Sequence, residues 1–428
     1  MRIAVIGAGL AGVTTAYELA RDGHEVIVYE RRGGIAAEGS FAPACINAPD
    51  IGLARVALGQ AAIVDRAWRH PATWPWIWRA RRAAQQPAGA QRFVAMAQLA
   101  RHSLQRLREI EDAHELEYER HDGVLAVFRH TRHAIKAQAL LAEAPEGATT
   151  ARWLSPEEAR HAEPGLNAGF SIEGALHWPQ GQCANGRQFA HALKSESQQM
   201  GVRYVFHQEV LAIESRARAA SSVSVEVISR PCTELIDSGL PAPTSTLVED
   251  VSPLFDAAIV CSSAAAQHLL RGQLLPLCPA HVHSVTAPLR PASEITEAIG
   301  PRGALLDPAS GLSIGRLGDR LRIAGRARWG WAPTRPDQSA FDALYRGLDA
   351  CFPGAARTAR AQTWAGPQAV FADGLPAVGP LADGVWANLG HGPQAWAWAP
   401  ASAQLCADLV GGRSPSLDPA PFAPSRLR

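Results

Sequence analysis

An α/β protein, with a doubly wound parallel sheet and a second α+β domain built on an antiparallel sheet, is predicted by three features of the sequence. The chain opens on a strand, turn, helix and strand in close succession. Further strand-turn-helix units follow near residues 203, 256 and 385, and strands joined by short turns fill much of the rest. With 428 residues, 47% of them hydrophobic, the chain can bury a large core shared between two or three lobes.

The opening unit is the most informative. Ile3 to Ile6 is a short apolar run suited to a strand buried on both faces, and Val13 to Arg21 reads as a helix with Val13, Ala16, Tyr17 and Leu19 near one side. Between them stands Gly7-Ala8-Gly9-Leu10-Ala11-Gly12. Gly23 stops the helix, and a second apolar run from Glu25 to Tyr29 ends at Glu30, 18 positions beyond Gly12. In such a unit Gly7 allows the tight turn, Gly9 lets a pyrophosphate approach the backbone, and Gly12 brings helix and sheet together. The phosphates then rest on unpaired N–H groups at the helix N-terminus, and the acid binds a ribose hydroxyl pair. An acid at position 30 argues against a 2′-phosphate, so the ligand expected from these residues is FAD or NAD.

The following elements are read in order. Residues from about Ala54 to Asp112 look helical, ending in the amphipathic FVAMAQLARHSLQRLREIEDA. LEYERHDGVLAVF reads as two strands joined around His121-Asp122-Gly123. Ser155-Pro156-Glu157-Glu158 starts a short helix with an N-cap serine, proline in the first turn and early acids. Gln188 to Gly201 is a further helix, leading into one strand, VRYVFHQEVLAIES, and then VSVEVIS. RPCTELIDSGLPAPTSTLVED is a Pro- and Ser-rich loop before the buried strand DAAIVCSS. LRIAGRARWGW is a strand with glycines, and TRPDQSAFDALYRGLDACFP a capped helix stopped by Pro353. VWANLGHGPQAWAWAPASAQLCADLVGG closes the chain as strand, glycine turn, long helix and Gly-Gly stop.

Composition narrows the function. A net charge of +1 gives no reason to expect a nucleic acid partner, and the seven scattered cysteines, with no C-x-x-C, argue against a disulfide framework or a metal site. The first strand begins at residue 2, which leaves no room for a cleavable signal, and no run of about 18 apolar residues exists to span a membrane. A cytoplasmic location is expected. One segment qualifies it: RAWRHPATWPWIWRARR, from Arg66 to Arg82, interleaves Trp68, Trp74, Trp76 and Trp78 with arginines, a mix suited to peripheral contact with the anionic inner face of the cytoplasmic membrane. The same tryptophans could instead pack inside a helical lobe.

Taken in their order along the chain, MRIAVIGAGLAGV, EGSFAPA, LEYERHDGVLAVFR, AEPGL, LGDRLRIAGRA, FADGLPAVGP, LGHGPQAW and ADLVGG resemble the FAD-dependent D-amino acid oxidase superfamily, and within it the catalytic subunits of bacterial D-amino acid dehydrogenases. The likeness runs nearly end to end. It implies FAD in place of NAD, held by a Rossmann-like domain of the glutathione-reductase type. The discontinuous FAD-binding domain would take residues 1–90, 155–275 and 362–428, and the substrate domain residues 91–154 and 276–361. It also implies cofactor contacts from Gly7, Ala8, Gly9, Leu10, Ala11, Gly12, Glu30, Arg31, Ser40, Val210, Gly390, His391, Gly392 and Gln394. The Gly390-His391-Gly392 turn would offer N–H groups and a positive dipole end to the flavin ring.

Arg316, in LSIGRLGDRLRIAG, falls where family members bind the substrate carboxylate with an arginine, a planar fork suited to that task. His391 is the other residue placed at the reacting centre, as a polarising neighbour more than as a base. The expected activity is oxidation of a D-amino acid or similar small amine, by hydride transfer from Cα to flavin N5. The imino acid hydrolyses to a 2-oxo acid and ammonia, and the electrons pass to a quinone or a protein acceptor. Two alternatives stand beside it: a glycine- or sarcosine-type amine oxidase making peroxide, and a catalytically silent FAD-binding subunit of a larger complex. The last is motivated by departures from the family pattern. Pro367-Gln368-Ala369 stands where relatives carry Leu-Arg-Pro, and Pro393-Gln394-Ala395 replaces a smaller run.

Overall fold

The computed structural model describes residues 1–52, 54, 73–85, 89–144, 149–218, 222–232, 254–263, 266–269, 275–291, 300–329 and 337–427. Its strands form three sheets. The first holds six strands: β1 (Arg2–Ile6), β2 (Glu25–Tyr29), β7 (Arg203–Val205), β11 (Ala257–Val260), β18 (Ala377–Ala382) and β19 (Val385–Leu389), in the order β18-β19-β11-β1-β2-β7. β1 runs parallel to both neighbours, Ile3 standing beside Val26 and Ala257. Alternate residues of the central strands explain the unbroken apolar runs. Ile3, Val5, Val26 and Val28 pack under the helices Leu10–Arg21 and Ala395–Val410, whereas Ala4, Ile6 and Ile27 bury against the opposite layer. The units read near residues 203, 256 and 385 all join this sheet, as expected.

The largest sheet has ten strands: β3 (Ile46–Asn47), β4 (His121–Phe128), β5 (Arg152–Leu154), β6 (Gly174–Cys183), β12 (Cys278–Pro288), β13 (Ala304–Asp307), β14 (Leu312–Leu317), β15 (Arg320–Ala324), β16 (Arg328–Trp329) and β17 (Gln362–Val370). Its pairs are antiparallel except β13 with β4. A three-stranded sheet of β8 (Gln208–Arg218), β9 (Ser222–Pro231) and β10 (Leu254–Phe255) completes the set. β6 and β17, which fall in segments assigned by sequence to the cofactor domain, run in the large sheet.

Several elements follow directly from local chemistry. Ser155 caps the helix Pro156–Ala162, its hydroxyl accepting from the Glu158 N–H while the Glu158 carboxylate accepts from the Ser155 N–H. Asp337 caps Gln338–Cys351 through the Ser339 N–H. Two strand readings need correction. His121 to Phe128 is a single strand, because His121 and Asp122 of the turn-like triplet pair with Cys183 and Gln182 of β6; at Gly123 (φ +94°) the register shifts by a bulge in β6, so that Val124 pairs with Trp178. VRYVFHQEVLAIES breaks at His207 (φ +57°), sending Arg203–Val205 to one sheet and Gln208–Arg218 to another. The helical expectation from Ala54 onward is met by Trp74–Gln85 and Gly89–His114, with residues 55–72 outside those described; so are residues 233–250 of the Pro- and Ser-rich stretch.

Gly89–His114 is tied to the opening helix by a buried ion pair. Arg106 donates through Nε and Nη2 to the two carboxylate oxygens of Glu18, at 2.7 and 3.2 Å. No described helix is long and apolar enough to cross a membrane.

Candidate cofactor and active site

β1 and β11 lie side by side, yet the chain builds away from them in opposite directions, through β2 and β7 on one side and β19 on the other. A crevice opens at such a reversal, beyond the carboxyl ends of the strands. Gly7 enters it with φ +102°, its N–H donating to Tyr29 O at 2.8 Å. A Cβ on Gly12 would stand 1.8 Å from the Gly7 carbonyl oxygen, so turn and helix touch only because residue 12 is glycine.

Gly7, Gly9, Leu10, Ala11, Glu30, Arg31, Ser40, Val210, Gly390, His391 and Gly392 line one groove, open to solvent, whose empty space including its mouth is about 1170 Å³. Ala8, Gly12 and Gln394 do not line it, although Ala8 donates its N–H to Glu30 Oε2 at 2.8 Å. Glu30 Oε1 accepts from the Arg32 N–H at 2.9 Å, so two backbone donors hold the carboxylate in place. Burial raises the Glu30 carboxyl above its ordinary value, and these bonds work against that rise. Arg31 and Arg32 both bind Glu38, at 2.6 to 2.7 Å. Burial pushes the Glu38 carboxyl up, but the two guanidinium groups outweigh it and hold it below the usual range. Ser40 Oγ accepts the N–H of Leu10, the first residue of the helix, at 3.1 Å. Its own proton stays free to donate to a phosphate oxygen. Ser262 Oγ, at the end of β11, is buried in the groove wall with no hydrogen-bond partner.

At the other end Gly390 (φ +85°) and Gly392 (φ +55°) turn the chain from β19 toward the helix Ala395–Val410, with Gly392–Gln394 forming one 3-10 turn between them. His391 lines the groove, but its Nε2 pairs with Ser402 Oγ at 2.8 Å, and burial pushes its pKa down to about 4. A neutral imidazole tied into the helix behind it is a poor base near pH 7, in keeping with a place in the groove wall.

Arg316 does not line the groove, and its Nε donates to Gly318 O at 3.1 Å. Strand alternation puts it on the face of Leu312 and Ile314, which pack with Phe341 and Leu344 of the helix Gln338–Cys351. On the opposite face the cross-strand partner of Gly315 is Arg322. Its Nε donates to Thr286 Oγ1 at 3.1 Å and its Nη1 to Pro43 O at 3.2 Å, while Ser284 Oγ donates to Ala42 O at 2.6 Å. Those carbonyls belong to the segment just after Ser40, which lines the groove, although Arg322, like Arg316, is not itself part of the lining. Arg322 is 5% exposed, and burial lowers its pKa. No carboxylate among the described residues forms an ion pair with it.

Ser262 was not singled out from the sequence. The signal was present in DAAIVCSS, a parallel strand running into two serines, but only the strand order shows that its end adjoins β1. Among the described residues no group of His, Cys, Asp and Glu could hold a metal ion.

The residues present fit FAD. The groove joins helix N–H groups, Glu30 and an unpartnered Ser262 hydroxyl at one end to a glycine turn at a second helix start, with Gln368, whose Oε1 is also unpartnered, in the wall between. Comparison with known proteins agrees. The family model "DAO: FAD dependent oxidoreductase" matches residues 2–409. A D-amino acid dehydrogenase of Cereibacter sphaeroides is 31% identical over 98% of this chain and 94% of its own length, and one of Neisseria gonorrhoeae is 27% identical over 96% of each. Glycine oxidase from Geobacillus kaustophilus shares the fold with a TM-score of 0.69 at 18% identity, covering 99% of both chains. From the chain-long match of the family model and the groove that accommodates its cofactor, the protein belongs to the DAO family of FAD-dependent oxidoreductases.

Proposed function

We propose that this chain oxidises a small amino acid, with D-amino acids first among the substrates, and passes the electrons to a quinone or a protein acceptor. Bound FAD supplies the two-electron acceptor for the substrate's Cα–H. The amino acid loses a hydride and a proton to become an imino acid, which water converts to a 2-oxo acid and ammonia. The name carried by the 31% identical relative supports the substrate class. The single observation that carries the reading is Arg322, a buried guanidinium bonded to the segment just after the groove residue Ser40 and in ion-pair contact with no described carboxylate, only the charge of Glu119 acting on it from farther off. A carboxylate is the group such a cation lacks, and Arg322 is therefore the proposed clamp in place of Arg316.

The test is anaerobic mixing of the yellow protein with a panel of D-amino acids and N-methylglycine, following loss of flavin absorbance. Arg322→Leu should raise the concentration for half-bleaching by about 10², as expected for a lost charge-assisted pair, with Arg322→Lys recovering part of it. Arg316→Leu should leave it within about twofold, since that side chain faces the other layer. The reverse pattern would return the clamp to Arg316. A parent protein that retains FAD and is bleached by no amino acid would end this reading and favour a silent subunit.

A further inference from the structure

Gln368 lies on β17 between Pro367 and Ala369, and all three line the groove beside Gly390 and His391. The residue is 4% exposed. Its Nε2 donates to Gly39 O at 3.0 Å, a bond that fixes which way the amide points. Oε1 is thereby the free prong, buried and without any hydrogen-bond partner. Folded proteins leave very few such acceptors unmet, because each one costs stability comparable to a lost hydrogen bond. Because Gln368 lines the groove, a group that fills the groove can supply that donor. Glu30, Arg31 and the Gly7–Gly12 turn occupy the nucleotide end, and pyrophosphate oxygens only accept. Donors are carried by the flavin half, as the imide N–H of its ring and the hydroxyls of its ribityl chain.

We propose that Gln368 Oε1 accepts a hydrogen bond from the flavin half of FAD, so that this chain contacts its cofactor there through a neutral amide acceptor. The inference rests on FAD occupying the groove. It has an electronic consequence if the donor is the ring N–H. An acceptor at that position adds no positive charge to offset the negative charge that gathers on the ring during reduction, whereas a guanidinium would. Gln368 is then a tuning residue as well as a binding one.

The experiment compares the FAD-stripped parent with Gln368→Met, of similar size but unable to accept this bond, and with Gln368→Arg. FAD affinity is read by fluorescence quenching, the bound flavin's absorption spectrum is recorded, and midpoint potentials are measured against redox dyes. The methionine variant should bind FAD about tenfold more weakly. A ring N–H donor also predicts a shifted spectrum and potential, with Gln368→Arg moving the potential upward. A ribityl donor predicts the affinity loss with spectrum and potential unchanged. Either result supports the contact, and a folded Gln368→Met protein matching the parent in both affinity and spectrum overturns it. Gln368→Asn, which withdraws the carbonyl by one methylene, answers the same question if the methionine variant fails to fold. A parent that takes up no FAD would defeat the cofactor assignment itself, a different failure from a parent that binds FAD and is indifferent to residue 368.

Discussion

At the scale of single residues, the nucleotide end of the groove was the most legible part of the chain, because its chemistry is local. Gly7, Gly12 and Glu30 act through one turn and two adjacent strands, and their spacing alone specifies the arrangement. His391 shows the limit of that reading. Sequence places it between two glycines at a helix start, but its partner Ser402 lies 11 positions on, inside the helix that the turn begins. The buried imidazole gives a pH test. Its folded pKa of about 4 lies below the ordinary 6.5, so the unfolded chain takes up this proton first and the native state loses stability as pH falls from 6.5 to 4. His391→Gln removes that proton uptake. The parent's stability margin over the variant should shrink by about 3 kcal/mol across this window, read by chemical denaturation at stepped pH. A margin that stays constant would show that the imidazole is already protonated in the folded protein.

At the scale of elements, helices announced by caps were read well, and strands were read less well where a neighbour decides their course. β4 and β8 were misdrawn because a bulge and a positive-φ histidine are answers to pairing partners distant in sequence. The helix Trp74–Gln85 illustrates the same dependence within one turn. Trp76 is 5% exposed, donates its indole N–H to Val370 O at 3.3 Å and stacks on Trp329, whereas Trp74 and Trp78 are 60% and 62% exposed. The outward face adds Arg79, Arg81 and Arg82, with Arg82 over the Trp78 ring at 5.5 Å, and the helix carries no acid. Trp68 lies outside the described residues. This face suits an anionic bilayer, and the helix is anchored on β17, whose Gln368 and Ala369 line the groove. In flotation with anionic vesicles, the parent should bind at low salt and detach near about 0.5 M. Trp74→Ser/Trp78→Ser should abolish binding, and Trp76→Ser should instead lower thermal stability. Equal flotation of the double variant would mean that another surface makes the contact.

At the scale of the whole molecule, the six-stranded sheet collects strands from residues 2 to 389, so its helical cover must be held in register by contacts between distant segments. The Glu18–Arg106 pair is one of these, joining the opening helix to Gly89–His114. Arg106→Met leaves the buried Glu18 carboxylate with only the part-exposed Arg21, at 3.1 Å, and should cost about 3 kcal/mol, visible as a fall of several degrees in Tm. Glu18→Leu combined with Arg106→Met removes both charges and should recover most of it. A double variant no more stable than the single one would show that the pair contributes more than mutual neutralisation.

What the sequence determined by itself was the cofactor unit and the fold class, since a βαβ turn and alternating burial are written in residues a few positions apart. What only the tertiary structure decided was which side chains meet across the large sheet. Arg316 and Arg322 stand six positions apart in one hairpin, both arginines beside apolar neighbours. The register that pairs Gly315 with Arg322 assigns them to opposite faces, and the Arg322 face is the one that touches Ala42 and Pro43, next to Ser40 of the groove.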